Sequence, residues 1–151
     1  MKVIIQKSGY AKVEVDERII GEINSGYVIL LGITNGDTEK EIDYLIEKIA
    51  NLRLFENEEK YFDKSIIDVN KEILLISQFT LYADCDKGRR PDFGNSAKSE
   101  YAKPLYENFI ERLKAKNIKV SKGEFGAMMK VSLTNEGPIT IILESNNQHN
   151  G

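Results

Sequence analysis

The 151-residue chain carries a formal net charge of -3 with 41% hydrophobic residues, enough apolar material for one buried core without disulfides or structural metal. That charge excludes a protein that grips long nucleic acid by non-specific phosphate contact, which needs many clustered Lys and Arg, but leaves open local recognition of a nucleic-acid end. The single cysteine, Cys85, excludes an internal disulfide framework and a cysteine-rich metal site, and no segment resembles a signal peptide or reaches membrane-spanning length, so a cytoplasmic protein is expected.

In chain order, Lys2 to Gln6 and Lys12 to Asp16 read as short strands, Val13 and Val15 alternating with charged neighbours as in a half-buried strand. Arg18 to Ile23 makes a third. Asn24, Ser25 and Gly26 signal a turn before YVILLGIT, Tyr27 to Thr34, whose apolar run predicts a central strand covered on both faces. Thr38 and Glu41 have capping-box spacing, and Ile42, Leu45, Ile46, Ile49 and Leu52 recur at helical intervals, which places one apolar stripe against the sheet.

Asn51 to Asn70 reads as a connection with short extended pieces, and ILLISQFTL, Ile73 to Leu81, as a second interior strand. Tyr101 to Lys116 forms a second amphipathic helix, which Pro104 either kinks or begins, because an interior proline loses a hydrogen bond and collides with the preceding turn. Strands follow at Ala127 to Leu133 and Pro138 to Leu143, with a turn at Asn135 and Glu136. Residues 146–151 read as a flexible tail beyond a single domain of residues 1–145. Two principal helices among hairpin-like strands predict an α+β domain whose largely antiparallel sheet curls like a barrel.

Several chemistries are missing. His149 is the only histidine and falls in the tail, so a dyad or triad built on a core histidine has no base. The glycines are spaced as turn residues and form no phosphate-binding loop, so no nucleotide cofactor is expected. No metal motif occurs; Asp84 and Asp86 read as a solvated loop, and Cys85 as a passive, partly buried thiol.

Two polar constellations remain. On an extended strand Gln78 and Thr80 share one face while Ser77 and Phe79 share the other. Facing inward, the first pair offers an amide and a hydroxyl; facing outward, it is ordinary strand surface. Gly137-Pro138, within LTNEGPIT, is either an ordinary hairpin turn or a rigid element whose carbonyls select a ligand by shape.

Taken together, SQFTLYAD (Ser77 to Asp84), GRRPDF (Gly88 to Phe93) and VSLTNEGPIT (Val131 to Thr140), with YVILLGI, PLYENF and FGAMMKVSL in the same order, closely resemble the D-aminoacyl-tRNA deacylase family. The likeness extends along nearly the whole chain. It implies a homodimeric enzyme that hydrolyses the ester joining a D-amino acid to the terminal adenosine of tRNA, with neither cofactor nor metal. By the resemblance, Ser77, Gln78, Phe79 and Thr80 lie in the active-site pocket. Gly137 and Pro138 form a cis pair inserted into the partner subunit's pocket, where their carbonyls crowd out an L side chain while D-aminoacyl and glycyl esters enter.

The resemblance also implies that the 2′-hydroxyl of the terminal adenosine assists attack by water, which fits a chain without a core histidine. Thr80 and the backbone near Phe79 are then candidates for holding the ester carbonyl. Lys87, Arg89, Arg90 and Lys130 are candidates for phosphate contacts on a single-stranded acceptor end. The expected partners are that acceptor end and a second copy of the chain, with no membrane and no DNA. QKSGYAKVEV and Tyr61-Phe62 depart from the commoner family pattern, differences that bear on pocket edges and substrate preference. The rival readings are a binding protein of the same architecture and a hydrolase that uses an acidic side chain.

Overall fold

The computed structural model describes residues 1–145, so the expected tail, with His149, lies outside the described residues. The chain runs through β1 (Lys2–Ser8), β2 (Ala11–Val15), β3 (Arg18–Ile23) and β4 (Gly26–Gly32) before α1 (Glu39–Asn51). A small hairpin, β5 (Arg53–Phe55) and β6 (Lys64–Ser65), leads to β7 (Glu72–Ser77). After a 3-10 turn at Phe79–Tyr82 come α2 (Ser99–Ala115), β8 (Val120–Lys122), β9 (Lys130–Ser132) and β10 (Asn135–Glu144). The capping box is present: Thr38 N–H donates to the Glu41 carboxylate at 2.7 Å, and Thr38 Oγ1 accepts from Lys40 N–H at 3.3 Å.

The central sheet has five strands in the order β10-β1-β4-β7-β8. β4 pairs parallel with β7, a geometry that requires a crossover, and α1 lies in that crossover. Alternation then divides the apolar runs between two faces. Tyr27, Ile29, Leu31, Ile73 and Leu75 join the cluster containing Ile42, Leu45, Ile49, Phe109 and Leu113 of the helices. Val28, Leu74 and Ile76 belong instead with Ala11, Val13 and Ile23 of the three-stranded sheet β3-β2-β9. The result is three layers, and the central strands are apolar throughout because both of their faces are covered.

This arrangement corrects the expected barrel-like curled sheet. β10 and β8 are the two edges of the five-stranded sheet, and they do not pair with each other to close it. The sheet is also mixed, since β4, β7 and β8 run parallel while β1 and β10 pair antiparallel. Helices on one face and a separate small sheet on the other provide the burial that closure would have supplied. Within α2, Pro104 lies one turn inside the helix, which begins at Ser99.

A buried polar hub ties the chain start to the end of the central sheet. The Met1 ammonium donates to Asp37 Oδ1 at 2.7 Å and to Ser145 Oγ at 2.9 Å. The other Asp37 oxygen accepts from Thr34 N–H at 2.8 Å, and the Tyr101 hydroxyl donates to the Asp37 carbonyl. Burial lowers the ammonium pKa from its ordinary 8.0, against the opposing pull of Asp37. Through Tyr101 the hub holds the first turn of α2 beside the end of β4.

Candidate active site

The parallel strands β4 and β7 end at the same rim, with Leu31 opposite Ser77. Gln78 N–H still donates to the Leu31 carbonyl at 2.8 Å, after which the chain turns: Leu81 N–H donates to the Gln78 carbonyl at 3.3 Å. Gly32 permits this close turn, because a Cβ there would stand 3.0 Å from Leu81 Cβ and 3.2 Å from the Gln78 carbonyl oxygen. The strand expected to reach Leu81 therefore stops at Ser77, and strand alternation does not govern Gln78 and Thr80. The turn brings them together by another route, with Gln78 Nε2 donating to Thr80 Oγ1. A threonine hydroxyl that accepts from an amide keeps its own proton for a further acceptor.

Around this turn lies a pocket of about 490 Å³. Leu31, Ile33, Ala97, Ala102 and Phe125 give it an apolar body, and Ser77, Gln78, Ser96, Lys98 and Ser99 supply polar groups. The wall is laced together: Ser96 Oγ donates to the Phe79 carbonyl at 2.8 Å, and Ala97 N–H to the Ile33 carbonyl at 3.0 Å. Phe79 and Phe93 meet edge to face with ring centroids 5.1 Å apart, yet they remain 57% and 40% exposed. An aromatic pair left this open at a pocket mouth offers a face to a planar ligand.

Of the sequence-predicted residues, Ser77, Gln78 and Phe79 line the pocket, whereas Thr80 stands beside it through its bond to Gln78. Lys87, Arg89 and Arg90 ride on an exposed loop closed by paired bonds of 2.8 Å between the backbones of Asp84 and Asp92. Phe93 follows immediately, so the basic loop springs from the pocket rim. Cys85 lies in that loop and is exposed, not partly buried as expected. Lys130 is exposed on β9 opposite Glu14 and does not line the pocket. Sequence reasoning missed Ser96, Lys98 and Ser99, whose signal was only their position between the GRRPDF motif and the helix.

Gly137 and Pro138 are exposed, joined by a cis peptide bond, and do not line the pocket of their own chain. They belong to β10 itself and not to a turn between strands, but the register breaks there: Gln6 faces Thr140 and Ser8 faces Asn135. Residues 136–139 therefore bulge from the sheet edge. Asn135 braces the bulge, accepting from Ile139 N–H at 2.7 Å and donating to Thr140 Oγ1 at 2.9 Å. Gly137 has φ +137°, and a Cβ there would lie 2.7 Å from Ile139 Cγ1, so this position needs glycine.

Among the described residues the pocket lining contains no carboxylate, imidazole or thiol. It can desolvate a ligand and orient it with hydroxyl, amide and backbone groups. The first intrahelical bond of the 3-10 turn starts at Leu81 N–H, so the N–H groups of Phe79 and Thr80 have no intrahelical acceptor and suit a developing oxyanion.

Comparison with known proteins identifies the family and the fold. Residues 4–144 match the family described as D-Tyr-tRNA(Tyr) deacylase. A D-aminoacyl-tRNA deacylase of Clostridioides difficile is 49% identical over 145 residues, spanning 96% of this chain and 97% of that protein. One from Finegoldia magna is 51% identical over 148 residues, spanning 98% of this chain and all of the other. Among solved structures, a c-Myc DNA unwinding element binding protein superposes with a TM-score of 0.89 at 41% identity, covering 95% of this chain and 98% of the other. A probable eukaryotic D-amino acid tRNA deacylase, at 16% identity and a TM-score of 0.81, shares the fold.

Proposed function

The chain belongs to the D-Tyr-tRNA(Tyr) deacylase family, and from that premise we propose how its pocket works. The enzyme hydrolyses the ester bond of D-aminoacyl-tRNA, releasing the D-amino acid and tRNA. The observation that carries the mechanism is a largely apolar pocket with ester-orienting hydroxyl and amide groups and no carboxylate, imidazole or thiol in its lining.

Water adds to the ester carbonyl carbon, and the oxygen that becomes negative is received by the Phe79 and Thr80 N–H groups. The adjacent 2′-hydroxyl of the terminal ribose assists the attacking water. The bond between the acyl carbon and the ribose oxygen then breaks, and the departing oxygen takes up the proton given up by the water and relayed by the 2′-hydroxyl, restoring the terminal diol and leaving the free amino acid. Gln78 holds the Thr80 hydroxyl so that its proton is directed to substrate, and Ser77 borders the reacting group. Such positioning, together with pre-aimed donors, supplies the catalysis that a side-chain base would otherwise give.

Selection falls to a second copy of the chain. The bulge carrying Gly137 and Pro138 projects from an open sheet edge, which supports its insertion into the partner subunit's pocket in a homodimer. There its carbonyls exclude an L side chain, whereas D-aminoacyl and glycyl esters fit. The loop cations Lys87, Arg89 and Arg90, with Lys130 farther off, meet phosphates of the acceptor end. A net charge of -3 favours this local contact over a grip on duplex DNA.

The test is release of tyrosine from matched D-tyrosyl-tRNA and L-tyrosyl-tRNA by the wild type and Thr80→Ala. Rapid release from the D ester alone is expected, with Thr80→Ala slower by about 100-fold, the scale for one lost transition-state donor. Equal release from both esters contradicts the chiral assignment. Mass in solution checks the assembly: a dimer is expected, and a fully active monomer would sink the cross-subunit filter.

A further inference from the structure

Lys98 is the one charged side chain in the pocket lining. Elsewhere Lys2, Lys12, Lys114, Lys116 and Lys119 pair with glutamates, and Lys7 and Lys71 lie over the Phe55 ring; what sets Lys98 apart from the other exposed lysines is its place in the pocket wall. Lys98 has neither an ion pair nor a ring contact among the described residues. It follows Ala97, whose N–H is fixed to the Ile33 carbonyl, and Ser96, whose hydroxyl is fixed to the Phe79 carbonyl. An unpaired cation is thus mounted on a braced wall, two residues from the group that anchors the catalytic turn.

The charges of the substrate decide what such a cation can receive. The reacting end of an aminoacyl ester carries an α-ammonium group, which Lys98 repels. The other end of the same nucleotide carries a 5′-phosphate, which it attracts. We propose that Lys98 binds the 5′-phosphate of the terminal adenosine and so sets the direction in which the substrate lies in the pocket. The inference rests on the deacylase reading and deepens it. It assigns the first phosphate contact to the pocket wall and leaves Lys87, Arg89 and Arg90, on the loop beyond Phe93, for phosphates farther along the strand.

The experiment uses two small esters, D-tyrosyl-adenosine with and without a 5′-phosphate, alongside D-tyrosyl-tRNA. Lys98→Ala should raise KM for the phosphorylated ester about tenfold, erasing its advantage over the unphosphorylated one, whose KM should change several-fold less. Lys98→Arg should retain most of the phosphate preference. On tRNA, Lys98→Ala should reduce the slope of log affinity against log salt by about 0.7, the value for one contact to a single strand. An equal effect on both small esters would mean that Lys98 only shapes the wall, and no effect on either would remove it from the site; each result overturns the inference while the deacylase reading stands. Failure of the wild type to cleave any of the three esters would overturn that reading and the inference with it.

Discussion

The interior halves of β4 and β7 and the rim where they end are built from the same two strands under opposite rules. Inside, Tyr27, Val28, Ile29 and Ile73 to Ile76 are buried on both faces of one sheet. At the rim, within a few residues, Phe79 and Phe93 remain substantially exposed and Lys98 stands without a partner side chain. Stability alone gives no reason to leave those two rings open to solvent. The difference separates the part of the molecule that holds shape from the part proposed to meet the substrate, and it predicts that damage to each will be read by a different assay.

The largest expected effect is in the interior. Ile29→Ala empties a fully buried site between sheet and helices and should destabilise the protein by about 3 kcal/mol, with activity per folded molecule nearly unchanged. Denaturant unfolding checks it; a loss of activity without a loss of stability would break the distinction. A smaller effect of the opposite kind is expected at the bulge. Gly137→Ala forces a Cβ against Ile139 in a backbone conformation that disfavours it. It should narrow the D/L rate ratio about tenfold, equivalent to about 1.4 kcal/mol of discrimination, while costing less stability than Ile29→Ala. An unchanged ratio would remove Gly137 from the filter.

The interior was legible in the sequence because burial imposes a period. The apolar runs of β4 and β7 announced covered strands, and Thr38, Glu41 and the Ile42 to Leu52 stripe announced α1 with its cap. Barrel closure was misjudged because a run buried on both faces says nothing about what covers each face. In the protein, helices cover one and a three-stranded sheet the other. The SQFT segment was found by resemblance, but its geometry was hidden: β-favouring residues suggested a strand through Leu81, and only the close approach over Gly32 shows why the chain turns after Gln78. Asn135, which braces the bulge, was read as part of a turn because its partners, Ile139 and Thr140, meet it only once the register slips. Lys98 left no sequence pattern, since an unpaired lysine is recognised only when its neighbours in space are known.

The central claim is that the pocket hydrolyses its ester by orientation and backbone donors, with the substrate's own 2′-hydroxyl in place of a side-chain base. The most direct test is the rate of D-tyrosine release from tRNA whose terminal adenosine lacks that hydroxyl, measured beside the normal substrate at saturating concentration. The account predicts a fall of at least about 100-fold in kcat, within the range for general acid–base assistance, with binding of the acceptor end retained. An undiminished kcat would contradict it and require a base supplied by the protein.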